Sequence, residues 1–290
     1  MFEKEFLTRC SVYSLKSERP IFREVLEEGD TTFYGIILMA NKDPQLREYL
    51  LSKKKFGDLW EYQDDYGYSP IDAPWVVEGL MNFGLEKDKA QIARSLDVMF
   101  KSGFEEKSGT IIALYAGKSA YWFGPDLDAT SHLSYLLGRF DFNKFKSVLE
   151  RTTDFIKKSQ LPSGLWDSKW YGSNLLSSFL ALRTLFLFPQ KYKPEIKKSM
   201  DSIIGMQNEN GSFKDSILET SIAILIFEEI KCCEKNKIAA RKWLSKDREI
   251  PMTPFLYYWF EEKDEKKFFD CWDKGKLTES FRKLALKRVN

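Results

Sequence analysis

Tyr121-Trp122-Phe123-Gly124-Pro125-Asp126-Leu127-Asp128-Ala129-Thr130-Ser131-His132 is the stretch from which the architecture can be read. Aromatics and a Gly-Pro turn lead into an Asp-x-Asp pair, and the apolar run Leu133 to Leu137 follows. Locally this is a turn, a cap and the start of a buried helix, because Asp accepts from the free N–H groups of a first helical turn. The same order of turn, polar cap and apolar run recurs along the chain with variations.

Upstream, Asp30-Thr31-Thr32 precedes the apolar run Phe33 to Ala40, and Pro44 separates it from an amphipathic segment, Gln45 to Ser52. Ser69 and Asp72 are candidate caps for Trp75 to Phe83, which is followed by the amphipathic segment Lys87 to Lys101. The quoted stretch opens a helix over Asp128 to Gly138, with an amphipathic partner over Asn143 to Ser159. Downstream, Leu175 to Phe188 pairs with Pro194 to Met206, and Ile217 to Ile230 with Lys237 to Ser245. A last apolar helix is expected over Met252 to Phe260, and two charged amphipathic segments close the chain.

Caps therefore fall near Asp30, Asp72, Asp128, Ser173, Asp215 and Met252, at about 40 to 55 residues apart, the period of a helix-hairpin repeat. A helix apolar on all sides must be buried on all sides, and an amphipathic helix covers it from outside. Six such pairs predict an all-α fold, an (α/α)6 toroid of two concentric helical rings, over a competing flat solenoid. The expected domain is single, 1–290, with 1–28 as a helical lead-in and 263–290 as C-terminal helices. In a toroid the N-termini of the inner helices share one rim, where their N–H groups and positive dipole ends converge.

The chain has 290 residues, 45 Lys+Arg against 43 Asp+Glu, and 43% apolar residues. That balance gives no reason to expect a nucleic-acid partner, and the apolar content suits a packed core. Four cysteines without a Cys-x-x-Cys, and no N-terminal segment of signal type, fit reduced thiols in a cytoplasmic protein. A peripheral contact with a membrane stays open. His132 is the one histidine, which rules out a His-rich metal site.

Gln160-x-x-x-Gly164-x-Trp166 and Gln207-x-x-x-Gly211-x-Phe213 resemble the Gln-x-x-x-Gly-x-Trp repeats of the terpene cyclase and protein prenyltransferase toroid superfamily. Asp126-x-Asp128-Ala129-Thr130 resembles the Asp-x-Asp-Asp-Thr motif of class II terpene cyclases such as squalene–hopene cyclase. The resemblance implies that Asp128 is the general acid that protonates an alkene or epoxide, with Asp126 supporting it. Ala129 departs from the motif by replacing its third Asp. Family cyclases usually use two helical domains, so this chain, with room for one, would take a small substrate or a partner chain.

The chemistry can be argued from the residues. A strong, dry carboxylic acid needs desolvation and a second carboxylate beside it, since like charges raise one of the two pKa values. Aromatic faces stabilise cations, and Trp122, Phe123, Trp170, Tyr171, Trp75 and Tyr34 are the candidates for binding an isoprenoid substrate. His132, one turn after Asp128, is placed to hydrogen-bond it. No cofactor is expected, apart from Mg²⁺ if the substrate is a diphosphate. The bland readings stand beside these: Asp126 and Asp128 as helix caps, His132 as a core histidine, Asp64-Asp65 as a solvated loop. The function expected is acid-initiated cyclisation of a linear isoprenoid or isoprenyl diphosphate. The alternatives are a non-catalytic toroid that binds a lipid or protein, and a carbohydrate-active hydrolase or lyase, which would need two carboxylates a sugar apart.

Overall fold

A computed structural model describes residues 31–54, 58–60, 71–111, 125–168, 171–250, 253–262, 265–273 and 275–287, with the backbone alone at 31–33 and 253–273. Helices alternate between two roles. α1 (Thr31–Asn41), α3 (Ala73–Phe83), the first part of α5 (Leu127–Lys158), α6 (Asn174–Leu185), α8 (Ile217–Ile230) and α10 (Lys276–Lys287) form the inner set. Each packs on the next in that order, and α10 packs back on α1, so the ring closes. α2 (Pro44–Ser52), α4 (Lys89–Gly103), the second part of α5, α7 (Lys193–Gly205) and α9 (Glu234–Leu244) lie outside it.

Burial follows the two periodicities. In α6 every residue from Leu175 to Leu185 is buried, and in α8 every residue from Ile217 to Phe227. α7 buries only Ile196, Ser199, Met200 and Ile203, one face of an amphipathic helix. The passage from inner to outer ring inside α5 is made at Asp141, whose backbone leaves the helical region at φ −156°, ψ 88°. Its carboxylate then accepts from Lys144 N at 3.0 Å, restarting the helix as a cap would. Gly35 is required where α1 meets α3: a Cβ there would lie 2.3 Å from the Trp75 carbonyl carbon.

The two Gln-x-x-x-Gly-x-aromatic loops are built alike. Gln160 Nε2 donates to the Gly164 and Glu195 carbonyls at 2.9 and 3.0 Å. Gln207 Nε2 donates to the Gly211 and Asn236 carbonyls at 3.0 and 2.9 Å. Both glycines have positive φ, +89° and +93°, and both press on the backbone of the following outer helix. The loop geometry extends to a segment that lacks the residue types. At Lys54-x-x-x-Asp58-x-Trp60, Asp58 has φ +87° in place of the glycine. Trp60 Nε1 donates to the carbonyl ten residues before it, Leu50, at 2.7 Å, as Trp166 Nε1 does to Ile156 at 2.7 Å.

Two expectations are corrected at the C-terminal end. In place of the helix expected over Met252 to Phe260 is strand β3 (Thr253–Glu262), paired antiparallel with β4 (Glu265–Asp273). Aromatic residues fit a pleated strand, and the register sets Trp259 opposite Phe268 and Tyr258 opposite Phe269. The sixth inner helix is instead Lys276–Lys287, so the tail expected as helices supplies a strand and the helix that closes the ring. A further short ladder, β1 (Phe104–Glu105) with β2 (Thr110–Ile111), precedes the quoted stretch. The lead-in 1–28, the cap Asp30 and the pair Asp64-Asp65 lie outside the described residues.

Candidate active site

Asp126 is the N-cap of α5: its backbone is extended and its Oδ1 accepts from Ala129 N at 2.8 Å. Asp128, inside the first turn, is not needed for that bond. Its carboxylate accepts instead from the hydroxyls of Ser177 on α6 and Ser168 in the preceding loop, the latter at 3.2 Å. Both carboxylates are 2% exposed. Tyr171 stands beside them. Burial first, then the charges of Asp128, Asp72 and Asp126, push its hydroxyl well above its ordinary value. Tyr171 thus feels the charge of three carboxylates at the N-terminal mouth of the inner ring. Trp75 Nε1 donates to Tyr171 Oη at 3.0 Å, which ties α3 to the mouth.

One layer deeper lies a charge network across three inner helices. Arg183 of α6 grips Glu78 of α3 with two bonds, at 2.7 and 2.9 Å. His132 Nε2 of α5 meets the same carboxylate at 2.7 Å. Burial pushes Glu78 up, but the Arg183 guanidinium and the His132 bond outweigh it and hold the carboxyl well below the usual range. His132 is pushed down to about 4, by burial first and by Arg183, against the pull of Glu78. His132 is therefore neutral at pH 7, donating from Nε2, and its Nδ1 has no partner. Arg183 also lies over the Tyr135 and Phe179 rings, at 4.1 and 4.6 Å from their centroids.

This layer borders a cavity of about 330 Å³ lined by the inner helices, with Glu78 in its wall. Trp75, Glu78, Phe179, Leu225 and Phe281 line its inner part, and Lys42, Asn82 and Lys287 its far end. Those last three lie at the C-terminal ends of α1, α3 and α10. Asp126 and Asp128 are not among its lining residues; Trp75 is, and Trp75 is bonded to Tyr171.

The structure thus brings together Asp126, Asp128, Tyr171 and Trp75 from the sequence-derived set. It does not form the bond expected between His132 and Asp128: His132 turns to Glu78, a full charge in a dry layer, while serines occupy Asp128. Tyr34 packs edge-on against Tyr49 of α2, centroids 5.6 Å apart, and does not line the cavity. Trp122, Phe123 and Trp170 lie outside the described residues. Glu78 and Arg183 escaped the sequence reading, although each is a lone charge in an otherwise apolar inner helix. Among the described residues no group of three His, Cys, Asp or Glu side chains is placed to hold a metal ion, and no helix is long and apolar enough to cross a membrane.

Residues 114–221 match the squalene-hopene cyclase C-terminal domain family. No curated protein sequence matches the chain. Among solved structures, the type II terpene cyclase MstE from Scytonema in its apo form superposes with a TM-score of 0.65 at 14% identity, over 88% of this chain and 86% of that one. The ent-copalyl diphosphate synthase from Streptomyces platensis gives 0.64 at 14% identity, over 88% of this chain and 50% of that one. The protein geranylgeranyltransferase-I of Candida albicans gives 0.55 at 12% identity, over 97% and 88%.

Proposed function

We propose that this chain, which has the helical-toroid fold of the type II terpene cyclases, initiates cyclisation of a linear isoprenoid by proton transfer from Asp128. The observation that carries the reading is that Asp126 already caps α5, which leaves Asp128 a second buried carboxyl with no capping role. Protonated Asp128 would deliver its proton to a terminal alkene carbon, and the alkene π electrons would form the new C–H bond. The hydroxyls of Ser168 and Ser177 would stabilise the carboxylate left behind. Asp126, two residues before it, is a second carboxylate buried at the same helix start. Trp75 and Phe179 offer aromatic faces to the cation. Mg²⁺ would enter only as the counterion of a diphosphate substrate.

Chain length is compatible with a single toroid, since MstE is covered over 86% of its own length. MstE variants bind geranylgeranyl dihydroxybenzoate as substrate and merosterolic acid A as product, which supports a prenylated compound as the class to try first. A second reading, a lipid-binding toroid without catalysis, is favoured by Ala129 in the third motif position and by the separation of Asp128 from the described cavity.

The test is incubation with geranylgeranyl diphosphate, squalene and a geranylgeranylated phenol, followed by mass spectrometry of the products. Cyclic products from the wild type, lost at least 100-fold in Asp128→Asn, are expected of a positioned general acid. Products that survive Asp128→Asn would reject Asp128 as the acid. Ligand retained without turnover would support the second reading.

A further inference from the structure

Outside the ring interior, the chain brings two sulfurs together. α8 ends at Ile230 and α9 begins at Glu234, and the link between them is Lys231-Cys232-Cys233. Cys233 Sγ lies 3.1 Å from Cys232 Sγ, and both thiols are free and half-buried. Side chains of neighbouring residues diverge in an extended chain, so the contact is made by the turn. Lys231 and Cys233 both have left-handed backbones, at φ +54° and +59°. Cys232 N donates to the Phe227 carbonyl at 3.1 Å, and Lys237 N to the Cys233 carbonyl at 2.9 Å, which ties the pair to the helix on either side.

Helix building does not account for the cysteines. The left-handed region at a helix boundary favours Gly or Asn, and Cys233, at the N-cap of α9, makes no side-chain capping bond. Two adjacent sulfurs can instead bond to each other. Their gap exceeds an S–S bond, ~2.0 Å, by about 1 Å. A trans peptide holds neighbouring Cα atoms about 3.8 Å apart, below the ~4.4–6.8 Å usual for disulfides, so such a ring is strained and easily reduced. Burial pushes the Cys232 thiol up to about 12, with the hydrogen bond and charge of Cys233 adding to the effect and Lys237 opposing it. Cys232 therefore keeps its proton, and Cys233 stands at the positive end of α9, which favours an anion.

We propose that Cys232 and Cys233 form a reversible two-electron redox site, oxidised to a vicinal disulfide by a low-molecular-weight disulfide. The Cys233 thiolate attacks one sulfur of that disulfide, and the other half leaves as a thiolate. Cys232 Sγ then attacks Cys233 Sγ; the second thiolate leaves and takes the Cys232 proton. The Cys233 proton, lost to water on ionisation, returns to the first leaving thiolate. The protein pair loses two electrons and the external disulfide gains them, ending as two thiols. The site follows the C-terminal end of α8, away from the N-terminal mouth that holds Asp128, and does not require Asp128 to be catalytic.

Glutathione disulfide is the test oxidant, added to native Cys10→Ser/Cys271→Ser protein, which keeps only this pair of the four cysteines. Intact mass and thiol titration should show both thiols lost, a mass lower by two hydrogens and no glutathione retained, all reversed by dithiothreitol. Cys232→Ser and Cys233→Ser in that background should each stop at a mixed disulfide with one glutathione. Closure should be roughly tenfold or more faster in the native protein than in denaturing urea, because the turn already holds the sulfurs together. In the wild type the same loss of two hydrogens is read on the proteolytic peptide that bears both cysteines. A pair that keeps glutathione without closing, a native pair left reduced by oxidant that closes it in urea, or closure no faster folded than unfolded would overturn the proposal.

Discussion

Replacing Arg183 by Met tests the deepest feature of the interior. Met keeps much of the apolar volume between Tyr135 and Phe179 but removes both bonds to Glu78. Glu78 is then left buried with only neutral His132 as partner. Breaking a buried ion pair from one side costs about 3–5 kcal/mol, because an uncompensated charge stays behind. Unfolding entropy near 2 cal/mol/K per residue gives roughly 0.6 kcal/mol per degree for a chain of this length, so Tm should drop by about 5–8 °C. Differential scanning calorimetry at pH 7 measures it. Glu78→Gln/Arg183→Met removes both charges and should regain at least half of the loss, since replacing a whole buried pair is often near neutral. A third readout is pH. Arg183 is one of the causes that push His132 down, so His132 in the single variant titrates nearer its ordinary value and stability declines less steeply between pH 6.5 and 4. A loss under about 1 kcal/mol, or a double variant no more stable than the single one, would show that the network does not carry the interior.

Three further outcomes are expected. In the wild type, His132 has a folded value of about 4 against 6.5 when free; the unfolded chain takes up the proton first as pH falls, so stability should drop by about 3 kcal/mol from pH 6.5 to 4, with Glu78 adding to the loss below about 4.5, as urea titrations at each pH would show. Gly164→Ala and Gly211→Ala force a side chain into positive φ, 2.8 and 2.5 Å from the carbonyls of Lys198 and Ala239; each should cost about 1–3 kcal/mol in the urea midpoint. Asp126→Ala removes the α5 cap and should cost about 1 kcal/mol, and Ser177→Ala, which takes a donor from the buried Asp128 carboxylate, should cost about 1–3 kcal/mol, both read by thermal melts.

The rings were legible because periodicity reports burial directly. Ile217–Ile230 is read from sequence to the residue, and α6 and α7 to within a few residues. The sixth pair was misplaced for the same reason. A run of aromatics at 255–260 is apolar enough for an inner helix, and hydrophobicity alone does not separate it from a strand. The true sixth inner helix, Lys276–Lys287, carries Lys at both ends and Arg282-Lys283 midway and reads as surface, although Leu277, Phe281 and Ala285 are buried. The loop at Asp58 was hidden because its glycine equivalent is an aspartate in the left-handed region, a residue type that tolerates that conformation. His132 was found as a residue but given the wrong partner. Helix spacing lists its neighbours on α5, and the partner that matters comes from α3, across the ring.

The charges of the toroid sort into those that helix ends explain and those that they do not. Carboxylates at the N-terminal mouth, Asp72, Asp126 and Glu219 among them, sit where helix dipoles favour negative charge, and lysines at the opposite rim sit where dipoles favour positive charge. Stability accounts for most of them. Two features lie outside that account. The Glu78–His132–Arg183 layer is mid-helix, away from any dipole end, and must balance itself. Asp128 is near a helix end, but the cap is already filled by Asp126, and its carboxylate is held by two serines from other segments. A chain selected only to close this ring would need neither a second buried carboxylate in the first turn of α5 nor serines on α6 and in the preceding loop to receive it. That redundancy within Asp126-Leu127-Asp128, rather than the acidity of the stretch as a whole, is what singles out Asp128 for the substitution experiments.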